Sequence, residues 1–167
     1  MKVALSLPEL LHLALQGEPL PAFVSNPELV GSLLRADVDV HAIPGLTGAA
    51  RLAVRAVGTV HVDVALAGYA DGVAHLAVEA RARSIPAHRL ASLFVGPINT
   101  LLARTLEAKG IPGLAHVVES DGVLTVVVRA QDALDAAPVP PFLRGLVLDS
   151  LALESSAVVA HVSLPMR

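Results

Sequence analysis

The chain has 167 residues and a formal net charge of −3; 54% of the residues are apolar, 16% charged and 2% aromatic. So much apolar content excludes disorder, and the absence of cysteine excludes a disulfide framework, a thiolate metal site and a cysteine nucleophile. The slight negative charge, with only three Phe and one Tyr, gives nucleic acid little to bind or stack on.

The length suits one domain over residues 1–167, with a mainly helical segment 1–36 and a sheet with one long helix over 37–167. Met1-Lys2 and the apolar residues after it look faintly like a leader. Pro8, Glu9 and His12 interrupt that stretch, so a structured start and a cytoplasmic chain are expected. Ser6-Leu7-Pro8-Glu9 has capping-box spacing and opens a short helix to Leu15. Asn26-Pro27-Glu28 predicts a second helix, with Leu29, Val30, Leu33 and Leu34 as its apolar stripe.

From Asp37 the period falls to two. Val38 and Val40 alternate with Asp37, Asp39 and His41; Leu52, Val54 and Ala56 alternate with Arg51 and Arg55. Val60, Val62, Val64 and Leu66 alternate with His61 and Asp63. After a turn at Gly68–Gly72, Leu76, Val78, Ala80 and Ala82 alternate with His75, Glu79, Arg81 and Arg83. These runs predict an antiparallel meander with one polar face. Residues 84–108 then carry Leu90, Phe94, Ile98, Leu101, Leu102 and Leu106 at spacings of three and four, an amphipathic helix that Pro97 should kink. Strands follow at 114–119 and 123–129, joined by Ser120-Asp121-Gly122. A helical turn or two over 130–137, a rigid Val139-Pro140-Pro141 link and a final hairpin over 146–164 complete the chain.

The expected fold is therefore α+β: a curved antiparallel sheet of about seven strands packed on one long kinked helix, with short helices at the N-terminus. No stretch has the roughly 20 mostly apolar residues of a membrane-spanning helix.

Candidate chemistry is sparse. His61, Asp63, His75 and Glu79 fall on the polar faces of adjacent strands. A hairpin centred near Ala70 would set His61 opposite Glu79 and His75 opposite Ala65. Their spacing fits a solvated face with ion pairs better than a metal or an acid–base site. Gly45-Leu46-Thr47-Gly48 lacks the lysine of a phosphate loop and reads as a turn. No Gly-x-Ser-x-Gly elbow is present. Arg81, Arg83 and Arg89 cluster near the start of the long helix, where an anion or a lipid headgroup would suit them as well as solvent would.

The aliphatic surface says more. Leu90, Phe94, Ile98, Leu101 and Leu102 on the helix, with Val62, Val64, Leu76, Val78 and Val126 on strands, would face one interior built largely of Ala and Val. Small side chains leave room where rings would fill it, so a groove or cavity for an aliphatic ligand is the expectation.

Ile85-Pro86 with Leu90, Ile98, Leu101 and Leu102, followed by Asp121-Gly122-Val123-Leu124-Thr125-Val126, resembles bacterial members of the tubular lipid-binding (BPI-like) superfamily over residues 37–164. The resemblance implies a curved sheet wrapped around a long helix, lipid held in the apolar interior, and no catalysis. The sequence thus reads as a non-enzymatic binder of a lipid or other aliphatic ligand, without a cofactor or metal. Peripheral membrane contact and self-association are compatible with that reading; nucleic acid is not. The alternative is a structural module whose excess apolar surface, Leu10 to Leu15 included, joins copies of the chain.

Overall fold

The structure, a computed structural model, describes residues 1–82, 88–154 and 156–165; the side chains of residues 88–90 also lie outside the description. Among the described residues the chain forms nine strands in two antiparallel sheets, and four α-helices. This corrects the expectation of one curved sheet packed on a single helix.

The first departure is at the N-terminus. β1 (Lys2–Ser6) precedes α1 (Leu7–Ala14), and the predicted capping box closes α1. The Ser6 N–H donates to Glu9 Oε2 at 2.8 Å, and the Glu9 N–H points back to Ser6 Oγ at 3.4 Å. The expected second helix is instead two strands, β2 (Val24–Val30) and β3 (Leu33–Asp39). Asn26 lies at φ +51° inside a bulge between Ser25 and Glu28. Asparagine tolerates the left-handed region for the same reason that it caps helices: its short amide bonds locally. A second correction concerns residues 51–56, which form the end of α2 (Gly48–Val54) and the turn after it, and not a strand. Ala50, Ala53, Val54 and Val57 turn inward at helical spacing.

The larger sheet runs β2-β3-β4-β5-β7-β6, with β4 (Thr59–Ala70), β5 (Val73–Arg81), β6 (Ala115–Ser120) and β7 (Val123–Arg129). Asp71-Gly72 and Asp121-Gly122 both have positive φ at their two central positions, the I′ geometry that suits strand twist. The first turn therefore centres after Asp71, and a further shift falls between Leu66 and Gly68. His61 consequently pairs with Arg81, Asp63 with Glu79, and His75 with Gly68, which corrects the pairing expected around Ala70.

The smaller sheet, β1-β9-β8, joins the final hairpin β8 (Val147–Glu154) and β9 (Ala157–Ser163) to the first strand of the chain. Gln131, in α4 (Ala130–Ala136), ties the two sheets together. Its backbone N–H donates to Gly72 O at 3.0 Å, and its side chain bonds Leu146 O and the Leu148 N–H. Tyr69 adds a 2.6 Å bond from its hydroxyl to Leu148 O.

The long helix α3 (His88–Ala108) is continuous through Pro97. It packs chiefly along β6, the edge strand, not across the middle of the sheet. The Asn99 amide donates to Val117 O at 2.8 Å and accepts from the Val117 N–H at 2.7 Å. The side chain thus fills the hydrogen-bonding place of a missing seventh strand. Toward its N-terminal end, α3 buries Phe94 against Val40, Ile43, Val54, Val57 and Val60. Replacing Asn99 by Ala strands both backbone groups of the buried Val117. The expected loss is about 2–4 kcal/mol in urea unfolding; a variant as stable as the parent would contradict this role.

Candidate functional site: an incompletely covered aliphatic face

The pairing register assigns every strand residue of the larger sheet to one of two faces. On the side of α3, cross-strand rows run Ala36–Val62–Ala80, Leu34–Val64–Val78–Leu124 and Leu66–Leu76–Val126–Val117. A fourth row, Tyr69–Ala74–Val128–Ala115, lies nearest the smaller sheet. Most positions in these rows are half-buried, and only Ala74 and Val117 are fully buried. The accessible surface of the chain is 10076 Å². A compact monomer of 17.2 kDa would expose about 7,800 Å². The half-buried rows supply part of that excess, and exposed side chains elsewhere, such as Leu52, Phe142 and Leu164, supply more.

This face brings together Val62, Val64, Leu76, Val78 and Val126, five of the expected ligand-binding residues. The helix residues divide. Phe94 is buried in the core and Ile98 packs against that core, whereas Leu101 and Leu102 are half-buried. The side chain of Leu90 lies outside the described residues. Leu34, Leu66, Leu124 and Val128 share the face and were not singled out from the sequence. Their signal was present, since each keeps the two-residue period of its strand. Tyr69 was also missed, and it is where the face continues. Its ring packs with Leu146, Leu148 and Val162, and Val3 and Ala160 of the smaller sheet lie against the same cluster. Burial, with Asp149 and Asp71 nearby, pushes the Tyr69 hydroxyl above its ordinary pKa. It therefore stays a neutral donor to Leu148 O.

Of the expected basic cluster, Arg81 is the one described side chain, and it does not border the aliphatic rows. Arg81 projects from the opposite face of the sheet and pairs with Asp63 and Glu79, each at 3.4 Å. Arg83 and the side chain of Arg89 lie outside the described residues.

That opposite face holds an open polar cleft of about 630 Å³, lined by Asn26, Glu28, Arg35, Asp37, His61, Asp63 and Arg81. Arg35 donates to Asp63 at 3.1 Å, and His61 Nδ1 lies 2.5 Å from Asp37 Oδ1. His75 sits six residues along β5 from the His61 partner Arg81, about 20 Å away at strand spacing, so the two histidines do not share a site. Among the described residues no three His, Asp or Glu side chains converge as metal ligands. A second cleft, of about 610 Å³, lies where the sheets meet, between Tyr69, Gln131 and Asp149.

No protein-family model matches the chain, no curated protein matches it, and no solved structure matches it significantly. Among the described residues no helix is long and apolar enough to cross a membrane.

The polar cleft makes its own prediction. Asn26, then His61, hold the Asp37 carboxyl below the usual carboxylate range by hydrogen bonding. A depressed carboxylate contributes stability above its unfolded pKa, and that contribution is lost as pH falls through the folded value. Carboxyl NMR titration should find Asp37 titrating higher in Asn26→Ala, and higher to a lesser degree in His61→Ala. An unmoved Asp37 in both would refute the hydrogen-bonded arrangement.

Proposed function

We propose that the chain binds a lipid or other aliphatic ligand on the helix-side face of the larger sheet, without catalysing a reaction on it. The observation that carries this reading is the set of rows through Val64, Leu76 and Val126, aliphatic and half-buried because α3 is held at the β6 edge. The chemistry of the surface favours alkyl chains. Valine, leucine and alanine offer dispersion contacts and no hydrogen-bonding code. The aromatic and arginine anchors that dominate protein–protein interfaces are missing from the rows, apart from Tyr69, whose hydroxyl is already occupied.

A reading as an assembly module draws on the same excess surface. It would need the half-buried rows to meet their like in a second copy. Sedimentation that finds a monomer at every concentration removes it.

The leading reading is tested by native mass spectrometry and organic extraction of the purified chain, followed by titration with a fluorescent fatty acid. A co-purifying aliphatic species and saturable uptake are expected. Leu76→Gln, which sets an amide in the middle of a row, should weaken uptake on the order of tenfold. His75→Ala, on the opposite face, should leave uptake unchanged. Protein that carries no lipid and takes up no fatty acid would end the proposal.

A further inference from the structure

We propose that the loop tip at Phe142 docks the protein onto phospholipid bilayers by inserting its ring among the lipids. This extends the ligand-binding reading above, and its failure is separable from the failure of that reading.

The chain has three phenylalanines, and two of them serve the core. Phe94 is buried, and Phe23 packs against the same cluster. Phe142 is 76% exposed. Its exposure is built in by the local sequence. Pro140 is extended at φ −54° and ψ 148°, and Pro141 opens a 3-10 turn that ends at Leu143. The Leu143 N–H bonds Pro140 O at 2.9 Å, and the Arg144 N–H bonds Pro141 O at 3.3 Å. In this tight turn Leu143 packs against Leu146, Leu148 and Val162, while Phe142, one residue earlier, is left in solvent.

Two further apolar side chains stand at the same end of the smaller sheet. Val147 pairs with Ser163 at the start of β8, and Leu164 follows Ser163. They are 41% and 60% exposed. Three such side chains fall far short of the roughly 800 Å² per partner, or about 20–30 residues, of a stable protein interface. A bilayer contact can be smaller: one protruding ring at the level of the headgroups, with a cation beside it as a second signal, gives weak and reversible attachment. The cation is at hand in Arg144, which is exposed and forms no ion pair among the described residues. Its guanidinium suits a phosphate headgroup. The tip also adjoins the cluster through which Leu143, Leu148, Val162 and Tyr69 connect the two sheets, so a docked bilayer would lie at one end of the aliphatic face.

The test is flotation of the full chain with phosphatidylcholine vesicles and with mixed phosphatidylcholine–phosphatidylglycerol vesicles. At high lipid concentration a minor, reversible fraction of the wild type is expected to float with both, and more with the mixture. Phe142→Ser should lower the bound fraction about tenfold. Arg144→Gln should remove only the preference for the anionic lipid. Because the chain has no tryptophan, Phe142→Trp gives a single emission that should shift to the blue on either vesicle. Vesicles that leave this emission unmoved, or a wild type that does not float, overturn the proposal. So does a wild-type oligomer that Phe142→Ser converts to monomer, which makes the tip a protein contact. Fatty-acid uptake by Phe142→Ser in vesicle-free solution keeps the two readings apart: docking predicts that uptake is retained. A wild type that floats but takes up no fatty acid sinks only the ligand reading.

Discussion

The paired hydrogen bonds between the Asn99 amide and the Val117 backbone determine where the long helix lies. An amide side chain can donate and accept in the spacing of a peptide, so it can stand in for the next strand of a sheet. Here it does so at the middle of β6. The helix is thereby fixed along the sheet edge, and its apolar stripe meets β6 and the corner around Phe94. The centre of the sheet face is left to Val64, Leu66, Leu76, Val78, Leu124 and Val126, which stay half-buried. A helix centred over the sheet would bury those rows and leave a filled interior.

The edges of the larger sheet are both unsuited to pairing with another chain. At β6 the Val117 groups are taken by Asn99. At β2 the bulge at Asn26 and the adjacent Pro27 break the run of donors. What remains open is a face and not an edge. That distinction bears on function, because an open edge recruits a strand by hydrogen bonding, whereas an open aliphatic face recruits whatever is apolar. Gln131 repeats the device of Asn99 at the junction, where its amide bonds Leu146 O and the Leu148 N–H and holds the smaller sheet at the end of the larger one. Two side-chain amides thus set the arrangement of an otherwise aliphatic protein.

Much of this was legible in local pattern. The strands at 59–70, 73–81, 115–120, 123–129 and in the final hairpin follow their two-residue period and their Asp-Gly turns. The helix at 88–108 follows its spacing, and Ser6 and Glu9 cap as their positions require. The misreadings have physical causes. Asn26-Pro27-Glu28 carries helix-start chemistry that serves equally at a bulge, and only the partner strand β3 decides between them. In Arg51–Ala56 the alternation was accidental, and the helical spacing of Ala50, Ala53, Val54 and Val57 was the true signal. The division into two sheets depends on β1 pairing with β9, some 160 positions away in sequence, as Lys2 opposite His161 illustrates. No local pattern encodes that pairing. Five of the candidate ligand-binding residues do share one face, because period two is local; that the helix would leave them uncovered depends on Asn99, an unremarkable polar residue in sequence.

The central claim is that this face, held open by an edge-docked helix, receives an aliphatic chain. Methyl-labelled NMR with titrated fatty acid tests it residue by residue. The account predicts that the methyls of Val64, Leu66, Leu76, Val78, Leu124 and Val126 shift together with saturation, while those of Val73 and Val127 on the opposite face stay in place. Shifts confined to the opposite face, or none at all, would contradict it.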